Sequence, residues 1–542
     1  MHIPTLALPS RIPLHTLASG RQANGSTYIN HTSNRLLFIV MVKIKPFTLD
    51  LFEISHIKLR INRYKQKNSL AFVTHLALND KNTMTMKKTF IAAAIALAAL
   101  SGCNNSDSVS TYTEARFATF NLSFDRATYE DLVTEMSFTH EEQSAFIERY
   151  NNDYASLTEK EIETTEKVLQ IRNVAETIQR VRPNAFVLAE FNNDGKGEDM
   201  RALNGFQDNY LAHSQHAQKP IDFAHKKNIA TNTGLPSNYD LNLNGSASGT
   251  GDDAWGFGFY HGQYAFAVFS QFEIDEANVR TFQNFKWKDM PGEGNLKIVT
   301  CEGEDKNGDI IDICPDGKKA GDNWYSDKAW AEYPLSSKNH ADIPVIIPTP
   351  NGGSEVIHFL VSHPAPPIFD NPAKHNTERN RAELKFWNDY IDSKNYMYDD
   401  NGVYGGLAAG SNFVVAGDLN ADHQMGDGDR ETIANLITHS MVNVEGTLGS
   451  YAPSSNGGEY CLNEGICTRN ADTPHVENIT STSGLRLDYV IPSATLSVKG
   501  SGVFWPAGSE DGYYLVYDDE LGNSKGVSSD HRMVWVDLDL TK

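Results

Sequence analysis

Phe413-Val414-Val415-Ala416-Gly417-Asp418-Leu419-Asn420-Ala421 is the stretch on which the fold turns. A short run of β-branched and aromatic residues reads as a buried strand. This run stops on a carboxylate and an amide two residues apart. Two further blocks follow the same design. Arg486-Leu487-Asp488-Tyr489-Val490 sets a carboxylate against an apolar run, and Ser528-Ser529-Asp530-His531 precedes Val534-Trp535-Val536. Polar groups at strand ends converge on one edge of a sheet, where a metal ion and a phosphate fit. A hard divalent cation needs oxygen ligands, and an attacking water needs a base and a charge-stabilising partner.

Matching blocks lie upstream. Ala118-Thr119-Phe120-Asn121-Leu122-Ser123 is a strand ending in an amide. Ala185-Phe186-Val187-Leu188-Ala189-Glu190 ends in a carboxylate, and His358-Phe359-Leu360-Val361-Ser362-His363 ends in an imidazole. Strands interleaved with helical segments predict two packed sheets flanked by helices. Residues 126–181 carry helical patterning. Ile171, Val174, Ile178 and Val181 recur at helical spacing before Arg182-Pro183, which stops a helix. The charged segment 128–166 reads as an added helical hairpin. Residues 192–254 are Gly/Asn-rich and read as mostly irregular. Two more insertions, near 285–340 and 447–483, each hold a cysteine pair.

The order Asn, Glu, His, Asp-x-Asn, Asp, Asp-His resembles the endonuclease/exonuclease/phosphatase superfamily, with the deoxyribonuclease I/exonuclease III-like fold, over residues 116–538. The resemblance implies an α/β four-layer sandwich, two packed mixed β-sheets flanked by helices. It also implies metal-dependent hydrolysis of phosphoester bonds by direct attack of water. Glu190 is the foremost metal ligand, because a carboxylate supplies charge to Mg²⁺, Mn²⁺ or Ca²⁺. The resemblance has Asn121 share or orient that site and Asp530 approach it. Asp418 stands where the family binds or deprotonates the attacking water. Asn420, read as lying on the same strand face, bonds the phosphate or positions the water. His531 becomes the charge-stabilising partner, held as imidazolium by Asp488. His363 is a second imidazole donor to a phosphate oxygen. No Gly-x-Ser-x-Gly elbow points to a covalent intermediate.

Substrate contacts are more open. Arg379 and Arg381 follow the His363 strand. They read either as a bidentate phosphate clamp or as surface cations at a helix start. Ser336-Ser337-Lys338-Asn339-His340 is another cationic patch with the same two readings. Asp240-Leu241-Asn242-Leu243-Asn244-Gly245 matches the first half of a calcium loop but lacks the carboxylate expected at its twelfth position. It reads either as a structural Ca²⁺ site or as an Asn/Asp-rich turn.

The N-terminus bounds the compartment. Met86-Lys87-Lys88 opens a basic region, Phe90 to Leu100 is apolar, and Leu100-Ser101-Gly102-Cys103 follows. This pattern is a lipoprotein signal peptide over 86–102, too short to span a bilayer, with Cys103 as the lipidated residue. Residues 103–113 form a tether, and the catalytic domain with its insertions occupies 114–542. Residues 1–85 read as an upstream extension outside the native protein, with Met84 or Met86 as the start; a genuine basic extension is the alternative. Asn104 is not the Asp of inner-membrane retention, so the anchored protein is expected at the outer membrane, on its periplasmic or cell-surface face, as a monomer. In that oxidising compartment Cys301 with Cys314, and Cys461 with Cys467, are expected to close local disulfide loops.

The full chain carries a formal charge of −22; residues 1–85 contribute +8 and the two signal lysines +2, leaving −32. Such acidity disfavours a tight, non-specific nucleic-acid binder, whose affinity comes from Lys/Arg contacts to phosphates. The expected substrate is a phosphoester outside the cytoplasm. An extracellular nuclease is the alternative within the class. A lipid phosphodiesterase would use exposed aromatics, for which Trp324, Tyr325 and Trp330 are candidates. A surface lipoprotein keeping the fold without catalysis is the alternative outside the class.

Overall fold

Residues 111–124, 126–468, 474–519 and 522–541 are described in a computed structural model of the chain. The upstream extension, the signal peptide and Cys103 lie outside the described residues. In chain order the strands are β1 (Glu114–Asn121), β2 (Ala185–Ala189), β3 (His225–Asn228), β4 (Phe266–Ser270), β5 (Glu273–Ile274), β6 (Arg280–Thr281) and β7 (Glu302–Glu304). They continue as β8 (Ile310–Asp312), β9 (His340–Pro348), β10 (Ser354–Ser362), β11 (Asn412–Asp418), β12 (Asp488–Pro492), β13 (Ser497–Val503) and β14 (Val534–Asp539).

Two mixed sheets stack face to face. One runs β13-β14-β1-β2-β4-β3, with β1 and β2 parallel. The other runs β12-β11-β10-β9-β5, with β10 and β11 parallel and β6 also on β9; β7 and β8 form a separate hairpin. The central strands are buried on both faces, which is why they read as continuous apolar runs rather than alternations. Alternate residues still part company. Phe117, Val187, Phe359, Val361, Val414, Val490 and Val536 meet between the sheets. Phe120, Phe186 and Leu188 face helices on the outer side of the first sheet, and Leu360, Phe413 and Val415 face helices outside the second. The result is the expected helix–sheet–sheet–helix sandwich.

The helices over 129–181 begin as their sequence dictates. Thr128, Thr139 and Thr158 each accept the N–H of a residue three positions on, and Asp131, Glu142 and Glu161 return the bond to the cap N–H. These capping boxes satisfy N–H groups that a helix start leaves orphaned. The last helix, Glu159–Val181, ends on Arg182 in the left-handed region, just before Pro183. The expected charged hairpin is thus two helices, Tyr129–Ser137 and His140–Asn152. Residues 159–166 are instead the first turns of the long third helix.

The irregular reading of 192–254 missed the helix Arg201–Phe206 and β3, which pairs with β4 at a sheet edge. β3 is His225-Lys226-Lys227-Asn228, an edge strand without an apolar signature. Both expected disulfides are present, Cys301–Cys314 and Cys461–Cys467. The 240–245 loop is a tight turn. The Asp240 carboxylate accepts the N–H groups of Asn244 and Gly245, and Asn242 accepts that of Asn244, so these oxygens close the turn.

Candidate active site

The polar residues at the strand ends come together at one edge of the sandwich. Asn121 closes β1, Glu190 follows β2, His363 follows β10 and Asp418 closes β11. Asp488 opens β12, which runs antiparallel to β11 with Asp418 directly opposite it. Asp530 and His531 lie just before β14. Gly417 makes the edge possible. Its φ is +153°, and a Cβ there would stand 2.0 Å from the carbonyl oxygen of Ser362 on β10.

The centre of the site is a line of three groups. His531 Nδ1 donates to Asp488 Oδ2 at 2.8 Å, and the far side of the ring, Nε2, lies 3.8 Å from Asp418 Oδ2. Thr480 Oγ1 donates to the same Asp488 oxygen at 2.8 Å. Burial works against a charged ring. The Asp488 and Asp418 carboxylates overcome it and hold the His531 pKa well above the ordinary imidazole value. Asp418 is pushed up to about 6, chiefly by burial, while His531 pulls the other way. Asp418 also accepts Asn121 Nδ2 at 2.9 Å, and His363 Nε2 stands 3.5 Å from it. Burial, then Lys338 and His531, press the His363 pKa well below the usual range, so this ring is neutral.

The metal assignment meets a mixed outcome. Glu190 sits in the left-handed region at φ 58° and receives Asn121 Nδ2 at 3.3 Å. Its pKa is raised by burial and by the nearby Asp530 carboxylate. Asp530 accepts a hydrogen bond from Ser123 Oγ. Burial opposes its ionisation, but His531 and that hydroxyl hold its pKa below the ordinary value. Two carboxylates close enough to raise one another's charge cost fit Mg²⁺, which uses one or two carboxylates plus substrate phosphate. Asn121 fits less directly. Its oxygen accepts the Ser123 N–H at 3.0 Å while its Nδ2 faces Glu190 and Asp418, so in this arrangement it orients both carboxylates. The tightest cluster of ligand-type side chains here is Asp418, Asp488 and His531. Its hydrogen bonding is that of a relay, with Nδ1 given to Asp488 and Nε2 turned to Asp418.

Asn420 is not on a strand face as expected. It lies past β11 in the left-handed region (φ 53°), where its N–H donates to Asp418 Oδ1 at 3.0 Å and its side chain to Pro364 O at 3.2 Å. It still lines the cavity beside Asp418 and His531. The two arginines have structural work. Arg379 is buried and donates to the carbonyls of Pro334, Leu335 and Ser336. Arg381 pairs with Glu293 and Glu378. Neither presents a free fork to a phosphate. The aromatics read as lipid contacts are not exposed either: Trp324 and Tyr325 are buried, and Trp330 packs on Trp287.

Lys338 is the cation of the site. It is buried, donates to Pro364 O at 3.3 Å, and faces Glu383, Asp418 and Glu190; burial lowers its pKa against their pull. Two residues of the helix His375–Ile391 hold the surrounding loops. Glu383 accepts the N–H groups of Ser337 and Ala365, and Asn380 Nδ2 donates to Ala365 O and Leu419 O. Sequence reading passed over this pair. Their signal was two polar residues at helical spacing on the face that carries Trp387.

Comparison with known proteins places the chain in a family. Residues 118–531 match the Endonuclease/Exonuclease/phosphatase family. An endonuclease/exonuclease/phosphatase of Beutenbergia cavernae DSM 12333 is similar at 14% identity and a TM-score of 0.36, covering 79% of this chain and 72% of that one. A family protein of Bacteroides thetaiotaomicron is 11% identical with a TM-score of 0.34, covering 80% and 98%. Truncated Caenorhabditis elegans TDP2 is 11% identical with a TM-score of 0.33, covering 79% and 98%. No curated protein sequence matches. The chain belongs to the endonuclease/exonuclease/phosphatase family.

Proposed function

We propose that this member of the endonuclease/exonuclease/phosphatase family is an exported, lipid-anchored phosphoesterase whose own residues activate water and stabilise phosphoryl charge. The observation that carries the reading is the Asp488–His531–Asp418 line, with spacings of 2.8 and 3.8 Å. Asp488 keeps His531 protonated, so the ring meets a phosphoryl oxygen as a cation. Asp418, with a pKa near 6, is a stronger base than an ordinary carboxylate and is still ionised at neutral pH. Asn121 fixes its direction, and Asn420 and neutral His363 donate to the phosphate or the water. Lys338 adds a second positive charge in a site shielded from solvent, where charge counts for more.

Glu190 and Asp530 are the residues that would hold a divalent cation. When bound, such an ion supplies charge neutralisation at a phosphoryl oxygen. Export and anchoring through Cys103 rest on the signal-peptide pattern at 86–103.

The test is a hydrolysis panel with and without EDTA: p-nitrophenyl phosphate, bis(p-nitrophenyl) phosphate, plasmid DNA, RNA and phosphatidylcholine vesicles. At least one should be turned over, and Asp418→Asn should remove that activity. Hydrolysis of nothing, or hydrolysis indifferent to Asp418→Asn, overturns the reading.

A further inference from the structure

Asp418, His531 and Lys338 occupy one end of a cavity of about 880 Å³. The far end is built by segments outside the two sheets: residues 241–257, 313–333 and 365–376. These segments are tied to one another. Trp324 Nε1 donates to Leu241 O at 2.8 Å, the Tyr333 hydroxyl and His375 Nε2 are hydrogen-bonded at 3.1 Å, and the disulfide residue Cys314 sits in the wall. Tyr333 packs against both Tyr325 and Trp255, with centroids 4.7 and 5.3 Å apart. The far end is therefore a ring-lined chamber, part of whose lining, Phe257 and Phe369, is exposed.

The cations that would meet a phosphate, His531 and Lys338, belong to the catalytic end. Asp252 and Asp370 line the far end; Asp370 is paired with Lys374 at 3.7 Å, and Asp252 is exposed and close enough to Tyr325 to act on that hydroxyl. Arg379 gives its guanidinium to backbone carbonyls, and His375 is half-buried, with its pKa pressed down by desolvation and by Arg379. Among the described residues lining the far end, none offers a cation to a second phosphate.

Taking the site as a phosphoesterase, as proposed above, we infer that the substrate is a small phosphoester whose scissile phosphate is its sole anionic group. Its alcohol portion, uncharged or cationic and preferably ring-bearing, fills the far chamber. Aromatic walls hold a ring by stacking or a cation by its attraction to the ring faces. A second phosphate would instead meet the Asp252 carboxylate. A polynucleotide, which binds through Lys/Arg contacts along its backbone, is disfavoured by the same charge.

The test uses four non-hydrolysable probes of one geometry on the mature chain in Mg²⁺, by titration calorimetry. They are methylphosphonate, benzylphosphonate, 4-(aminomethyl)benzylphosphonate and 4-(phosphonomethyl)benzoate. The ring should tighten binding by about tenfold over the methyl group, and the ammonium probe should bind about tenfold more tightly than the carboxylate probe. Asp252→Lys, at an exposed position, should narrow or invert the preference between the charged probes and leave methylphosphonate unchanged. The inference is overturned if the carboxylate probe binds as tightly as the ammonium probe, or if Asp252→Lys leaves their ratio unchanged. It is also overturned if single-stranded DNA is cleaved with a higher kcat/KM than p-nitrophenyl phosphorylcholine. A wild type that hydrolyses p-nitrophenyl phosphate through Asp418 but ignores probe charge sinks this inference alone. A wild type that binds no phosphonate and hydrolyses no ester sinks both readings.

Discussion

Asp488→Asn separates the charge of Asp488 from its geometry. Asp488 Oδ2 takes two hydrogen bonds, from His531 Nδ1 and Thr480 Oγ1, each at 2.8 Å. Oδ1 is buried without a hydrogen-bond partner. An amide can keep both bonds through its oxygen, so the ring stays in place. The NH₂ then falls where Oδ1 has nothing to offer it, at a cost of ~1–3 kcal/mol. The larger change is electrostatic. Removing a contacting opposite charge lowers a pKa by ~1–3 units, or ~1.4–4 kcal/mol between the two ring states. The rate loss should therefore depend on pH, at ~10–10³-fold near pH 8.5 and within ~10-fold near pH 6, where the ring is still charged. Stability should move the other way. The folded His531 pKa is raised, so its contribution is full below the ordinary imidazole value and disappears as pH rises through the folded value. The variant's loss of stability is thus largest at low pH and fades at high pH. Profiles of kcat from pH 5.5 to 10, denaturant melts at both ends and imidazole NMR shifts measure all three. A rate loss uniform across pH, or an imidazole pKa left in place, would refute the relay.

Four further outcomes are expected. EDTA abolishes turnover, and Glu190→Ala raises the Mg²⁺ concentration needed for half-maximal rate more than Asn121→Ala does; full activity in excess chelator contradicts the two-carboxylate site. Lys338→Met lowers kcat/KM by ~10²-fold or more while stability holds or rises, because a buried cation costs desolvation; a rate within ~3-fold of wild type removes Lys338 from the chemistry. Gly417→Ala costs more than ~3 kcal/mol in urea unfolding, since the new methyl meets the Ser362 carbonyl; a loss below ~1 kcal/mol shows that β10 and β11 can part there. Peptide mapping without reductant recovers Cys301 with Cys314 and Cys461 with Cys467, each bridge worth at most ~2–3 kcal/mol for its short loop; crossed pairs or free thiols contradict it.

Much of this was legible because local pattern and chemistry coincide at strand ends. A strand buried on both faces must be apolar throughout, and the residue that leaves the sheet is free to be polar. The runs before Asn121, Glu190, His363 and Asp418 therefore declared both the sheets and the edge. The helix starts at Thr128, Thr139 and Thr158 were as plain, because a capping box is a contact within four residues. β3 was not legible, because His225-Lys226-Lys227-Asn228 owes its strand to the backbone of β4 rather than to its own side chains.

What the sequence determined by itself was the sandwich, its polar edge and the residue types gathered there. What only the tertiary structure decided was which charges are free. Arg379 and Arg381 have the right chemistry for a phosphate, yet backbone carbonyls 43–45 residues away in sequence claim one and Glu293 claims the other. Lys338 carried no stronger signal than they did, but it is held by Pro364 and faces Asp418 and Glu190. Trp324 and Tyr325 looked like a lipid-facing surface and are the inner wall of a chamber. Strand and helix follow from interactions between near neighbours. The partner of a long charged or aromatic side chain is set by contacts across the fold, and no short stretch of sequence contains both halves of such a contact.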